Sequence, residues 1–261
     1  MAIFKETTCD RFVAYFDVMG FKNRIFRDNH DDVLAMMQKL QVSISGIKEI
    51  GEASLEYKKT GKSDRFGKIA KDSISPEILK MFASSLRILP VFFSDSILLV
   101  SEDDSDENIF GIIILSSFLF ASSLIDQIPM KGAIAYGRQT ADFDNSLYFG
   151  RPLVDAYVLQ EEMCLYGAAL HDTMESYLKT KKGVIDTLIK SNLLHWYKTP
   201  LKQCKVNHYC LNWKPILVSL NEGKPEEVVS RLYDTVSGST RCYVDNTLDF
   251  VNGIETNKPK K

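Results

Sequence analysis

The chain has 261 residues, 45% hydrophobic and 25% charged, the balance of a soluble globular protein with enough length to bury a substantial core. Thirty-two basic residues against 34 acidic ones leave a net charge of −2, which excludes the broad basic footprint of a duplex nucleic-acid binder but not a local cationic pocket for phosphate. The first ten residues lack the basic and apolar regions of a secretory signal. The five scattered cysteines form no C-x-x-C pair, so reduced thiols and a cytoplasmic location are expected, with no nucleic-acid or membrane partner.

Residues 11–17 (RFVAYFD) form an apolar run rich in β-formers and ending on a carboxylate, which predicts a buried strand. A helix follows over 21–29, and a second begins after Asp31 and Asp32, acids suited to a first turn. Residues 51–74 are polar and rich in Lys and Gly, the composition of a loop or lid, and Pro76 opens a helix through Leu86. ILPVFF and SILLVSE, parted only by Ser94 and Asp95, predict a hairpin with an aspartate at its tip. The run Phe110–Ile125 is nearly all apolar or small, but four serines interrupt it and Asp126 stops it, so it reads as a core helix over 108–127 rather than a membrane span. KGAIAYG (131–137) predicts another strand, ADFDNSLYFG a loop or short hairpin, and RPLVDAYVLQEEMC a helix with proline in its first turn.

This order is that of a ferredoxin-like βαββαβ unit, an α/β (α+β) fold with an antiparallel-dominated sheet covered by helices on one face. Residues 1–165 are expected to form this core, and 166–261 a C-terminal extension packed on the same domain. A strand at 208–213, helices at 225–236 and 240–252, and a frayed tail are the predicted features of the extension.

Asp17 ends the first strand and Asp95 tips the hairpin. Because strands one and three are neighbours in this topology, the two carboxylates can converge. Carboxylates that share a site repel, and two divalent cations, Mn²⁺ or Mg²⁺, relieve that conflict while orienting a triphosphate. The alternative is structural: Asp17 as a helix cap and Asp95 as a turn residue. Gly20, just after the strand, allows close approach of a phosphate, so Met19, Gly20, Phe21 and Lys22 are candidate phosphate contacts, with the Val18 carbonyl as a third metal oxygen.

Asp17-Val18-Met19-Gly20-Phe21 resembles the D-[IV]-x-G-F signature of class III adenylate and guanylate cyclases. FFSDSILLV resembles the hairpin that carries their second metal aspartate, and KGAIAYG the strand that follows. YFGRPLVDAYVLQE resembles their G-x-x-[VI]-N-x-A-x-R-L-E helix through Gly150, Leu153, Ala156 and Leu159. The likeness covers roughly residues 11–165. It implies Asp17 and Asp95 as catalytic metal ligands, contacts to substrate at Phe16 and the Met19–Lys22 turn, two metal ions per site, a nucleoside triphosphate substrate and a homodimer with shared sites.

The departures narrow the resemblance. The positions at which purine cyclases read the base are Val91 and Leu147, which cannot make those hydrogen bonds. The transition-state Asn and Arg positions are Val154 and Val158, which leaves Lys131, Arg138 and Arg151 as candidate replacement cations. DVMGF, FSDS, KGAIAYG and FG-x-P-L-V-x-A-Y-x-L together resemble the pyrimidine cyclases of the bacterial Pycsar anti-phage systems. That likeness implies conversion of UTP or CTP to cyclic UMP or cyclic CMP, usually with Mn²⁺, and a separate effector protein that senses the product. The alternatives are a catalytically weak nucleotide-binding regulatory module of the same fold and a purine (adenylate or guanylate) cyclase. The absence of a G-G-[DE]-E-F tip argues against a diguanylate cyclase, and Met19 against a haloacid-dehalogenase-type phosphatase.

Overall fold

A computed structural model describes residues 4–60, 82–220 and 223–256. Strand β1 (Thr8–Val18) alternates strictly: Phe12, Ala14, Phe16 and Val18 enter the main core, while Val13, Tyr15 and Asp17 point to the opposite face. Its period-two pattern thus fixes which side of the sheet carries the aspartate. Helices α1 (Phe21–Arg27) and α2 (His30–Thr60) follow, then a 3-10 turn (Ser85–Arg87), the hairpin β2 (Ile88–Phe93) and β3 (Ser96–Ser101), and α3 (Asp106–Ile125). Strand β4 (Met130–Asp142) turns back as β5 (Leu147–Gly150) into α4 (Arg151–Glu162). The chain continues through β6 (Gly167–Leu170), α5 (Asp172–Thr180), α6 (Lys182–Lys190), β7 (Leu194–Pro200) and β8 (Lys205–Leu211). It ends in α7 (Lys214–Leu220), α8 (Pro225–Ser230), two 3-10 turns and α9 (Arg241–Thr256).

One eight-stranded sheet runs in the order β2-β3-β1-β4-β6-β8-β7, with β5 paired to β4. The segment β2-β3-β1-β4 is the expected ferredoxin-like order, and among the described residues every pairing is antiparallel except β4 with β6. The C-terminal region therefore contributes three strands to the same sheet, two of them (β6 and β7) absent from the sequence reading. The predicted helix at 225–236 stops at Ser230, giving way to 3-10 turns.

Three further expectations are corrected. Helices on one face only were expected, but α2 and α3 cover one face while α4 crosses the other, with the Tyr157 ring against Tyr15 at 5.5 Å. The stretch after residue 50, expected as a loop, is helical through Thr60 because a polar outer face suits a helix that packs on one side. Residues 61–74 and the predicted helix start at Pro76 lie outside the described residues. The apolar α3 has the length and composition to cross a membrane, but 78% of its most apolar window is buried in the fold; it lies against α2 and the sheet.

Candidate active site

The metal-binding candidates meet where β1 leaves the sheet. Asp17 sits in register with Ser96 of β3 on one side and Lys131 of β4 on the other. Directly beyond it the Val18 amide donates to the Asp95 carbonyl at 2.9 Å, which ties the hairpin tip to the end of β1. The tip is a two-residue turn in which Ser94 takes a positive φ of 54°. A second bond, from the Met19 amide to Pro129 at 2.8 Å, fixes the other flank. Both aspartates are thus held by backbone bonds rather than by loop chance.

Their electrostatics are unrelieved. Burial, then the neighbouring Asp95 charge, pushes the Asp17 carboxyl up to about 6; Lys131 opposes this and Glu161 of α4 reinforces it. The Tyr15 hydroxyl is shared with Ser96 at 2.5 Å beneath the pair, and its own ionisation is pushed up by burial and by both aspartates. Two neighbouring carboxylates, one of them pushed toward its neutral form by burial and by the charge of the other, form the kind of oxygen pair that a hard divalent cation takes. Among the described residues no group of three or more His, Cys, Asp or Glu side chains forms a metal cluster, so the pair stands on its own.

The remaining predicted residues fall into two groups. Gly20 adopts φ 76°, and a Cβ there would meet nothing within 4 Å, so the turn presents open backbone beside the pair. Met19 is half-buried and Lys22 exposed, both next to it, while the Phe21 ring packs on the main core. Phe16, expected to contact substrate, does not do so through its side chain. Its ring is fully buried on the face opposite Asp17, and a Cβ at its register partner Gly132 would come within 2.5 Å of it. Val91 is half-buried on β2 with the smaller apolar cluster. Leu147 is half exposed on β5 opposite Asp142, eleven β4 positions from Lys131 and on the order of 30 Å away along the strand. Within one chain the structure does not bring Leu147 to Asp17.

Of the three candidate cations, only Lys131 reaches the site. Arg138 pairs with Asp10 in register further along β4, and Arg151 ion-pairs with Asp155 at 3.3 Å. Lys131 is 3% exposed, its ammonium 5.7 Å over the Tyr243 ring, and burial lowers its pKa against the pull of Glu161 and Asp17. Glu161 in turn meets Lys202 at 3.4 Å. Asp17, Lys131, Glu161 and Lys202 therefore form a line of alternating charge across the sheet. Glu161 and Tyr243 were missed from sequence; a lone lysine opening an otherwise apolar strand was the one signal for this line. Val154 and Val158 are exposed on α4 beside Tyr157.

No protein-family model matches the chain, and no curated protein matches it. Among solved structures, the catalytic core of a rhodopsin-guanylyl cyclase with converted specificity, in complex with ATPαS, is similar at a TM-score of 0.45 and 14% identity, over 78% of this chain and 94% of that one. A class III adenylyl cyclase-like ATP-binding protein from Pseudomonas aeruginosa is similar at a TM-score of 0.38 and 13% identity, over 82% of this chain but only 41% of the other.

Proposed function

We propose that the protein is a nucleotidyl cyclase of the class III type. The observation that carries this reading is the convergence of Asp17 and Asp95 at one strand end, tied by the Val18–Asp95 backbone bond, with the Asp17 carboxyl pushed up to about 6 by burial and then by the Asp95 charge. The D-V-M-G-F signature and the hairpin aspartate support the assignment. In the reaction, the 3′-hydroxyl oxygen of a bound nucleoside triphosphate bonds to its own α-phosphorus, its proton passes to solvent, and the bond to the β-phosphate oxygen breaks to release diphosphate. Asp17, Asp95 and the Val18 carbonyl would hold Mn²⁺ or Mg²⁺, which supplies charge neutralisation at the phosphates. Lys131, in register with Asp17, brings its ammonium group to the site, and the open backbone at Gly20 lets the phosphates approach.

The substrate in this reading is a pyrimidine nucleotide, UTP ahead of CTP, because the apolar Val91 and Leu147 offer no donor or acceptor to a purine edge. The product serves as a second messenger in bacterial antiviral defence, read by a separate effector. The working form is a homodimer with shared sites. Exposed apolar side chains on α4 and β5 (Leu147, Phe149, Val154, Tyr157 and Val158) and Phe93 at the hairpin, 78% exposed, support a partner copy on that side. The same copy would bring its Leu147 toward the aspartates that this chain's own Leu147 does not reach.

The test is incubation of the purified protein with ATP, GTP, UTP or CTP and Mn²⁺, followed by mass spectrometry. Cyclic UMP or cyclic CMP is expected. Cyclic AMP as the main product overturns the pyrimidine reading, and no cyclic product with nucleotide binding intact makes the protein a binding module.

A further inference from the structure

The near-neutral charge of the whole chain hides a local imbalance. From Thr187 to Leu220 the sequence carries five lysines and no aspartate or glutamate, in a protein with 34 acids. This stretch builds β7, β8 and the turns around them at one edge of the sheet. Two of the lysines are paired within the fold, Lys202 with Glu161 and Lys214 with Glu226, each at 3.4 Å. Lys190, Lys198 and Lys205 are exposed and stand in no ion pair among the described residues.

The two faces of the β7–β8 hairpin differ. Side chains alternate along each strand, and the face carrying His195 and Tyr197 meets Phe250 of α9, with ring centroids 6.1 Å and 5.0 Å apart. The opposite face carries Trp196 and Lys198, in register with Tyr209 and Asn207, and then Lys205 opposite Pro200. Leu194 is buried at the inner end of this face, but Trp196 is 49% exposed and Lys198, Asn207 and Lys205 stand in solvent. The Trp196 and Tyr209 rings meet at 4.6 Å, tilted by 59°, so the indole is braced on its cross-strand neighbour while half of it meets water. Two carboxylates lie near Tyr209. Glu175 of α5 is buried and already accepts from the Tyr209 amide at 2.9 Å, and Asp186 of α6 is exposed. One exposed carboxylate against three unpaired lysines leaves this side of the hairpin cationic.

We propose that the open face of the β7–β8 hairpin binds single-stranded nucleic acid. A base stacks on the Trp196 indole, and Lys198 and Lys205 meet the phosphates of the strand as it runs toward the hairpin turn. Asn207, between them, offers both a donor and an acceptor to a base edge. A duplex keeps its bases stacked on one another and presents none to the indole, so it gains only the lysine contacts. The same limit applies to an acidic protein segment or an anionic membrane. This surface stands apart from the aspartate pair and does not rest on the cyclase reading.

Binding to the full chain is read by fluorescence anisotropy of labelled oligothymidylate and oligouridylate, each about 15 nucleotides long. Trp196→Ala is expected to lose about 10-fold in affinity for both, the worth of one stacked base, and Trp196→Phe to recover most of it. Lys198→Gln/Lys205→Gln is expected to make the fall of log K with log salt shallower by about 0.7 for each lysine removed. A charge-matched surface control, Lys5→Gln/Lys224→Gln, and Asp17→Asn are expected to bind as wild type. The oligonucleotide held more tightly identifies RNA or DNA as the preferred strand. Trp213 is fully buried, so quenching of tryptophan emission during the titration reports Trp196. No binding of either oligonucleotide overturns the proposal, as does wild-type affinity in a Trp196→Ala protein with wild-type circular dichroism. It also falls if the control loses as much as the lysine variant, or if a duplex, polyglutamate or phosphatidylserine vesicles are held as tightly as the single strands. Should Trp196→Ala fail to fold, the emission decides: unquenched tryptophan at saturating oligonucleotide overturns the stacking site.

Discussion

The same strands end in two polar clusters, and the two are built oppositely. At the far end, Tyr136 donates to the Asp104 carboxylate at 3.0 Å and Tyr177 to the Asp104 carbonyl at 2.8 Å. The buried Arg11 guanidinium donates to the Glu6 and Ser101 carbonyls. The Tyr136 and Tyr177 rings meet at 4.0 Å, tilted by 36°, and burial with the Asp104 bond pushes the Tyr136 ionisation far up. At the near end Asp17 and Asp95 share a site, and Asp17 is destabilised as an anion. Polar groups matched to one another hold a fold together, whereas like charges placed together wait for something else to neutralise them.

That contrast can be broken in both directions. The largest effect belongs to Asp17→Ala and Asp95→Ala, each expected to lower Mn²⁺-dependent cyclic nucleotide formation by about 10³-fold, the scale of losing a main electrostatic stabiliser. Both should retain wild-type circular dichroism; turnover near wild type in either refutes the metal assignment. At the far end the reverse holds: Asp104→Ala strands the Tyr136 hydroxyl and is expected to cost about 2 kcal/mol of stability, seen as a lower urea midpoint, with turnover per folded molecule unchanged.

Gly132→Ala probes the seam between the two. Its Cβ would meet the Phe16 ring at 2.5 Å and the Tyr15 carbonyl at 2.9 Å, so a destabilisation of about 1–3 kcal/mol is expected, read from the same denaturation curve. The smallest effect sharpens the comparison most. Asp17 has a raised folded-state pKa, so the metal-free native state binds more protons than the unfolded chain between the ordinary value of 3.8 and about 6. Its contribution to stability therefore falls as pH rises through that window and stays low above it. Asp17→Asn is expected to remove this dependence and to raise the metal-free melting temperature at pH 7 by a few degrees, about 1 kcal/mol once the residue's partial solvent contact is allowed for. A melting temperature below wild type at pH 7 refutes the destabilisation of the Asp17 anion.

What the sequence made legible follows from how local each signal is. The apolar runs of β1, the β2–β3 hairpin, α3 and β4 announce themselves within a few residues, and an aspartate at a strand end or hairpin tip is visible for the same reason. β6 is only Gly167–Leu170, all small residues and leucine, too short for a period to show. β7 carries Lys198 and His195 among its aromatics, which masks its alternation. Lys131 was readable as one of three cations, but only the β1–β4 register separates it from Arg138 and Arg151. Glu161 and Tyr243 join the site through pairings across the fold, and no window of sequence contains them.

The parallel pairing of β4 with β6 has a consequence for the order in which the protein is made. Until residues 167–170 emerge and dock, one edge of β4 beyond its β5 hairpin has no partner, and that edge runs past Lys131, Gly132, Ala133 and Ile134. A ribosome-bound chain that has reached only residue 165 thus displays an apolar strand edge of the kind that recruits other chains. Strand β6 removes that hazard only as the C-terminal third arrives, so a truncation just before it would leave an adhesive fragment rather than a smaller folded unit.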